Sequence, residues 1–299
     1  MPSKNEKIQK EVTAHIIAKL EAGVRPWSQP WQGGLGVPYP TRHEGSKYQG
    51  INVLLLWISA MENGYNGQYW MTYRQAKEYG GQVRGGEKGS MIVFAKPIRV
   101  KDLNNDDPDA KKDIFFYKPS KVFNVSQIDG LPERFYPKPV VEIVNPDKRV
   151  AAVDAYIANT NANISEDGDK AFYAPGPDKI VMPAFDKFKS ALDFYSTELH
   201  ELVHWTGHKS RVNRDFKVGE GRKDYAKEEL VAEMGAAFLC AALGLESTVR
   251  DDHAEYLASW LKALKDDHKY IFQASSAASK AVAFLDNLQP VESEVSKVA

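Results

Sequence analysis

The chain of 299 residues carries 39 Lys and Arg against 40 Asp and Glu, and 43% of its residues are hydrophobic. This composition is typical of a globular protein with one or two domains. A single cysteine, Cys240, excludes an intrachain disulfide and a cysteine-rich zinc site, so any metal must be held by His and carboxylate side chains. The longest apolar run, near residues 51–60, is too short to span a bilayer. The polar N-terminus lacks the apolar segment of a signal peptide, and we expect a cytoplasmic protein with no membrane partner.

The charge is unevenly distributed between the two parts of the chain. Residues 1–130 carry 18 Lys and Arg against 13 Asp and Glu, whereas residues 131–299 carry 21 against 27. The basic part also holds four of the six tryptophans. A basic, aromatic-rich half is an indication of nucleic-acid binding.

The elements of residues 1–130 predict an α+β domain. Apolar residues at i+4 spacing indicate a first helix, and Gly64 closes a second, more apolar one. The predicted elements are helices over 5–22 and 52–63, a short helix with Thr72 as N-cap, and strands over 91–99 and 114–124. The charged stretch 102–113 between the two strands is predicted to be the loop of a hairpin.

The second part is predicted to be a mainly helical domain with a small sheet. Residues 131–148 hold four prolines and are predicted to be an extended linker. The domain then spans residues 149–288, and residues 289–299 form a flexible tail. Its predicted elements are a helix near 148–160, strands within 171–182, and helices over 185–206, 225–243, 250–268 and 276–287.

The segment His-Glu-Leu-Val-His at residues 200–204 predicts half of a divalent-metal site, zinc above all, of the zincin metallopeptidase type. In a helix, residues four apart share a face, so His200 and His204 present two imidazoles to one point. Glu201 lies about 100° further around the helix, which suits contact with water rather than with the metal. The pattern predicts hydrolysis in which Glu201 accepts a proton from water and the metal polarises a carbonyl. Tyr173, Tyr195 and Tyr225 are candidate oxyanion donors.

A catalytic zinc site needs a third protein ligand. Glu229 and Glu233 lie four apart in a downstream helix, so one of them can be the ligand while the other supports a histidine. His208 is a third candidate, although it follows His204 by four residues, whereas the third histidine of metzincins follows by six.

The basic part offers candidates for single-stranded DNA binding, which uses cations for phosphates and aromatic rings for bases. The candidate DNA contacts are Trp27, Trp31, Tyr48, Tyr73, Arg74, Lys77, Arg84 and Lys88. A second group of cations follows the metal motif and forms either a solvated loop or an extension of a nucleic-acid path. Its members are Lys209, Arg211, Arg214, Lys217, Arg222 and Lys223.

The motifs HELVHWTGH and EELVAEMGAAFL resemble the C-terminal half of ArdC-type antirestriction proteins of conjugative plasmids. The stretches RPWSQPW, KYQGINVLLL and GGEKGSMIVF resemble the N-terminal half of the same family and the N-terminal domain of TraC-type primases. The resemblance covers nearly the whole chain. It implies a single-strand DNA-binding domain followed by a zincin-like domain, and a role in protecting transferred plasmid DNA from host restriction. It also implies the ligand set His200, His204 and Glu229, with Glu201 as catalytic base.

Three functions follow from these observations. The first is an antirestriction protein that binds single-stranded DNA and carries a metal-dependent peptidase-like site for Zn²⁺ or another divalent metal such as Mn²⁺, with a restriction-system protein as a further partner. The second is an intracellular zinc metalloprotease whose N-terminal domain recognises protein. The third is a DNA-binding protein whose metal is purely structural.

Overall fold

A computed structural model of the chain describes residues 3–27, 38–101, 111–136, 148–214, 222–245 and 254–290, except for the side chains of residues 112–114, 222–225 and 254–255. The chain is α+β, as predicted, and divides into two compact units. The first comprises Met1–Pro26, Pro40–Lys138 and Leu264–Phe272. The second comprises Trp27–Tyr39, Pro139–Ala263 and Gln273–Ala299.

The first unit contains helices whose ends follow from local sequence. The helices are α1 (Lys4–Glu21), α2 (Ile51–Asn63) and α3 (Tyr73–Glu78). The apolar stripe of α1, from Ile8 to Leu20, is buried. Gly64 ends α2 in the left-handed conformation at φ 69°, where glycine avoids a Cβ penalty. Thr72 and Gln75 form a reciprocal capping box at the start of α3.

The main sheet of the first unit has four strands, which are β1 (Thr41–Arg42), β2 (Tyr69–Met71), β4 (Ser90–Lys101) and β5 (Lys111–Asn124). Their order across the sheet is β1-β2-β5-β4. Strands β4 and β5 pair antiparallel from Ser90↔Val122 to Lys101↔Lys111, so the predicted hairpin is confirmed. Residues 111–113 of the predicted loop belong to β5, where they pair with β4. The rest of that loop, residues 102–110, lies outside the described residues. A separate pair joins β3 (Gln82–Val83) to β6 (Ile128–Asp129).

The predicted linker begins inside the core of the first unit. Leu131 and Phe135 are buried in a cluster with Met71, Val83 and Ile128. The Tyr136 hydroxyl accepts a hydrogen bond from the backbone N–H of Leu131. Residues 131–136 therefore belong to the first unit instead of a linker, because their apolar side chains fill its core. Residues 137–147 lie outside the described residues.

The second unit combines helices with a three-stranded sheet. Its strands are β7 (Asn163–Ser165), β8 (Phe172–Ala174) and β9 (Lys179–Val181), in the order β7-β9-β8. Its helices are α4 (Ala151–Ala158), α5 (Ala191–Thr206), α6 (Arg222–Ala242), and parts of α7 (Ala254–Asp266) and α8 (Tyr270–Asn287). The sheet pairs β7 with β9 in parallel and β8 with β9 antiparallel.

A residue just after α8 is held by side-chain hydrogen bonds. The side chain of Gln289, where the flexible tail was predicted to begin, donates to the Tyr156 carbonyl and accepts from the Asn159 side-chain amide. Residues 291–299 lie outside the described residues. No helix in the described part of the chain is long and apolar enough to cross a membrane.

Candidate metal centre

Helix α5 carries the histidine motif and is almost entirely buried. It begins after Ser190, whose hydroxyl accepts a hydrogen bond from the Asp193 N–H, and it ends at Gly207. Because residues four apart share a helix face, His200 and His204 project to the same side. Their Nε2 atoms lie 3.1 Å apart, so the two imidazoles converge on one point.

The third side chain at this point comes from α6. Glu229 Oε1 lies 3.3 Å from His204 Nε2, and Glu229 Oε2 lies 3.4 Å from His200 Nε2. One ligand atom of each residue lies within 4.8 Å of the others, and all three residues are buried. Two imidazoles and one carboxylate are a ligand set that proteins use for catalytic zinc. The triad can hold a divalent metal, with zinc and manganese both allowed.

Each histidine also meets a carboxylate on its other ring nitrogen. Glu233 Oε1 lies 3.1 Å from His200 Nδ1, and Glu228 Oε1 lies 3.2 Å from His204 Nδ1. Such outer carboxylates fix the orientation of a metal-binding imidazole and increase its basicity. Burying several carboxylates is costly without a counter-charge, and a divalent cation at the triad supplies one.

The carboxylates also control the proton on His204. Burial lowers the pKa of His204, but contacts with Glu228 and Glu229 outweigh burial and raise this pKa to about 10. Burial favours a higher pKa for Glu229, but the contacts with His200 and His204 outweigh it and hold this pKa well below its usual range. Metal binding at the triad therefore competes with a proton, as is usual for histidine ligands.

Arg214 holds the outer carboxylate of His204 in place. Its guanidinium donates to both oxygens of Glu228, at 2.7 and 3.1 Å. It also donates to the Val203 carbonyl at 2.6 Å and to the Thr206 hydroxyl at 2.7 Å. Glu228 is not among the residues predicted from the sequence, and Arg214 is predicted there only as one of a group of basic residues. The Glu-Glu pair at 228–229 is the one sequence signal that pointed to this position.

A close approach of α5 and α6 brings these groups together. A Cβ atom built on Gly235 would lie 2.7 Å from Val203 Cγ2, which is closer than side chains tolerate. Glycine in a helix interior costs about 1 kcal/mol relative to alanine. We infer that glycine at this position lets the two helices approach closely enough for Glu229 to reach both histidines.

Replacing Arg214 by alanine is expected to lower the affinity for zinc or manganese by about 10–100-fold, the usual effect of removing an outer partner of a metal ligand. The physical reason is that Glu228 loses its partner and no longer orients His204. Calorimetric titration with the metal measures the change. Arg211→Ala is the matched control, because Arg211 is equally buried but pairs with Asp178. An equal loss of metal affinity in both variants, or no loss in Arg214→Ala, would contradict the role of Arg214 in orienting His204 through Glu228.

Glu201 and His208, the two other predicted site residues near the motif, do not belong to the triad. Glu201 is buried on α5 but is not a member of the triad, in keeping with its angular position on the helix. His208 lies after the helix, where its Nδ1 atom contacts the Ser210 hydroxyl at 2.8 Å. His208 is therefore not brought to the triad, whereas Glu233 supports His200.

The candidate oxyanion tyrosines are tied to carboxylates. The Tyr195 hydroxyl donates to Asp154 at 2.8 Å and accepts from the Val150 N–H. The Tyr173 hydroxyl donates to Asp178 at 2.8 Å. Burial and the adjoining carboxylates raise the pKa of both hydroxyls. The side chain of Tyr225 lies outside the described residues.

Two of the candidate DNA contacts are buried. Trp27 is 0% exposed and packs edge-on against Trp260 in the second unit, with ring centroids 5.8 Å apart. Tyr48 is 4% exposed, and burial raises its pKa to about 12. A ring that is buried in this way offers no face to a base, so the structure contradicts the predicted stacking role of both. Trp31 lies outside the described residues.

The other candidates are at the surface of the first unit. Tyr73, Lys77 and Lys88 are exposed, and the Lys77 ammonium lies 5.3 Å from the centre of the Tyr73 ring. Arg74 is paired with Glu78 at 2.9 Å, and Arg84 with Glu87 at 2.8 Å. These five side chains are therefore accessible, and the two arginines are already paired with carboxylates.

The basic segment after α5 has a structural role at two of its positions. Arg211 lies 3.8 Å from the centre of the Trp205 ring and pairs with Asp178, and Arg214 pairs with Glu228. These two cations are therefore not free to extend a nucleic-acid path. Lys217 and the side chains of Arg222 and Lys223 lie outside the described residues.

A helix that presents two histidines, with a glutamate from the following helix as third ligand, defines a zincin-like centre. Comparison with known proteins supports this class. Residues 151–277 match the family model of a zincin-like metallopeptidase. Residues 6–123 match the N-terminal domain of the anti-restriction factor ArdC.

Similar proteins cover more than nine-tenths of the chain. Its sequence is 45% identical to that of antirestriction protein ArdC from plasmid R388. The metal-free crystal structure of that protein matches with a TM-score of 0.77, and the match covers 94% of this chain and 97% of that one. The Mn(II)-bound structure of the same protein gives 44% identity and a TM-score of 0.76. An uncharacterized protein, y4eC of Sinorhizobium fredii, is 36% identical over 91% of this chain and 89% of its own length. The chain belongs to the ArdC antirestriction family.

Two DNA primases named TraC, from Escherichia coli, are also similar. They are 36% and 37% identical to 92% and 90% of this chain. The matched regions are only 26% and 19% of the primases' own lengths. The similarity is therefore to one part of each primase, and the primase activity of those proteins is not carried over.

Proposed function

We propose that this protein binds single-stranded DNA through residues 1–130 and protects plasmid DNA from host restriction during conjugative transfer, acting in the cytoplasm. The observation that carries this proposal is the order of two features in one chain. An ArdC N-terminal domain comes first, and the buried His200–His204–Glu229 triad follows it. The structural similarity to the R388 antirestriction protein, which covers 97% of that chain, supports the proposal.

We also propose that residues 149–288 form a metal-dependent peptidase. A divalent metal, when bound by the triad, supplies Lewis-acid polarisation and activation of water. Glu201, a buried carboxylate that directly follows His200 in the chain, accepts the proton of the attacking water. Glu228 and Glu233 keep the two imidazoles in their binding orientation. A component of a restriction system is the proposed protein substrate or partner.

The test of the antirestriction function is conjugative transfer into restricting and non-restricting recipients. A plasmid that carries the gene is expected to enter both recipients with similar frequency, while a plasmid that lacks it is expected to lose transfer only into the restricting recipient. An equal loss of transfer into the restricting recipient, with and without the gene, would refute the proposal. The Glu201→Gln gene in the same assay separates the two activities, because unchanged protection would leave DNA binding as the protective function.

Salt dependence separates this proposal from a protease whose first unit recognises protein. When a protein binds single strands through their phosphates, the logarithm of the binding constant falls linearly with the logarithm of the salt concentration. The slope is about −0.7 per neutralised phosphate. Binding of labelled single-stranded DNA by the full chain is expected to show such a slope. Absence of salt-sensitive binding would favour protein recognition.

A further inference from the structure

Strands β4 and β5 extend as a ribbon that exposes apolar side chains. Seven large hydrophobic side chains are exposed in the described part of the chain, and four of them lie on this ribbon. They are Phe94 at 49%, Ile98 at 40%, Phe115 at 50% and Phe116 at 40%. Exposed apolar side chains that are concentrated in this way mark an interaction surface.

The strand register places aromatic rings and lysines alternately on one face of the ribbon. Phe94 pairs with Lys118, and Lys96 pairs with Phe116. Directly opposite residues share a face, as do residues two apart along a strand. Phe94 and Phe116 are diagonal neighbours, about 7–8 Å apart by the geometry of such pairs. All four side chains are exposed. Each ring therefore has a lysine directly opposite it.

The charge of the ribbon is strongly positive. Among its side chains that the structure describes, six are cationic and none is acidic. These cations are Lys96, Arg99, Lys101, Lys111, Lys118 and Lys121. Lys112 and Asp113, whose side chains are not described, add one charge of each sign. A cationic surface with interleaved rings is complementary to single-stranded DNA, in which phosphates and unpaired bases alternate.

Asparagine side chains cover part of each outer edge of the ribbon. A partner is therefore more easily bound by a face of the ribbon than by its edges. The Asn52 side chain bonds both backbone groups of Val93 on the outer edge of β4. The Asn5 side chain bonds the Phe115 carbonyl and the Tyr117 N–H on the outer edge of β5. An added peptide strand would need these backbone groups, so strand addition by a protein partner is disfavoured at these positions.

Self-association through the same face is disfavoured by charge. In a two-fold symmetric contact the same face meets itself, so Lys96 and Lys118 of two copies would be brought together. Like charges in contact are destabilising, whereas phosphates neutralise them.

We propose that the face of the β4–β5 ribbon formed by Phe94, Lys96, Phe116 and Lys118 binds single-stranded DNA, with the two rings stacking on bases and the two lysines contacting phosphates. This inference rests on the proposed DNA-binding function and assigns its surface. The binding is expected to be independent of sequence, because every base has a face on which a ring can stack.

The experiment measures binding of fluorescein-labelled oligothymidylate to the full chain by fluorescence anisotropy at several salt concentrations. Phe94→Ala/Phe116→Ala is expected to weaken binding by at least about tenfold, with little change in the salt slope. Lys96→Gln/Lys118→Gln is expected to reduce the magnitude of the slope by about 1.4, or about 0.7 for each lost phosphate contact. Phe172→Ala/Lys187→Ala removes an exposed ring and an exposed lysine from the second unit and is expected to bind as the unmodified chain does.

The outcomes separate the surface from the function. If the unmodified chain does not bind the oligonucleotide, the proposed DNA-binding function fails and the ribbon assignment fails with it. If the unmodified chain binds the oligonucleotide and both ribbon variants bind it as tightly as the unmodified chain does, DNA binding stands and the ribbon assignment is wrong. If the phenylalanine variant changes the sedimentation of the protein while its DNA affinity is unchanged, the face is a contact between copies and the assignment is again wrong. Unchanged circular dichroism and thermal unfolding verify that each variant is folded.

Discussion

The Glu201→Gln variant is expected to bind zinc or manganese as tightly as the unmodified chain and to lose peptide hydrolysis by about 10²–10⁴-fold, the usual contribution of a general base. Metal binding survives because Glu201 lies outside the triad of His200, His204 and Glu229. Hydrolysis is lost because an amide cannot accept the proton that water must release. Metal content and cleavage of dye-labelled casein measure the two properties separately.

Glu198→Gln is the matched control for this variant. Glu198 is a buried carboxyl group of the same helix, three residues before Glu201, and it is not a member of the triad. Burial, with a smaller effect from Glu166, raises its pKa to about 7, so its side chain is partly neutral at physiological pH and an amide is a close substitute. This control is expected to keep both metal and hydrolysis. Full cleavage by Glu201→Gln, or equal loss in both variants, would remove the general-base role.

Replacing Glu229 by alanine is expected to abolish tight binding of the divalent metal. Glu229 is the proposed third ligand and the only carboxylate of the triad. A metal present at 100 times its dissociation constant stabilises the folded protein by about 2.7 kcal/mol. The unmodified chain is therefore expected to unfold at a higher temperature when zinc or manganese is added, and Glu229→Ala is expected to show no such increase. Differential scanning calorimetry with and without metal makes this comparison.

Glu233→Ala distinguishes a ligand from a supporting residue. The Glu233 carboxylate contacts His200 Nδ1, on the side of the ring away from the triad. Its removal is expected to weaken metal binding by about 10–100-fold while the thermal stabilisation by excess metal remains. Complete loss of metal in Glu233→Ala with retention in Glu229→Ala would reverse the two assignments.

Much of the secondary structure was predictable because its signals are local. The apolar stripe of α1, the capping residue Thr72 and the glycine after α2 each act within a few residues of the element they define. The short strands β1 and β2 were not predicted. Each has two or three residues, so neither shows an alternating pattern, and both depend on pairing with distant segments.

The surface of the first unit was less predictable than its elements. Trp27 and Tyr48 have the residue types of a DNA contact, yet both are buried. Phe94 and Phe116 fall in strands that were predicted, yet they are exposed. The sequence does not distinguish these cases, because burial of a ring depends on which other element packs against it. For Trp27 that element contains Trp260, more than 200 residues further along the chain.

The amino-acid sequence by itself determined the histidine pair of the metal centre. Four-residue spacing within one helix places His200 and His204 on a common face, and this is a property of helix geometry alone. Only the tertiary structure decided which carboxylate joins them. Glu228, Glu229 and Glu233 lie on one helix, and their roles depend on how α6 is rotated against α5 and how closely it approaches at Gly235. Rotation and approach are set by packing between helices, which no local pattern specifies.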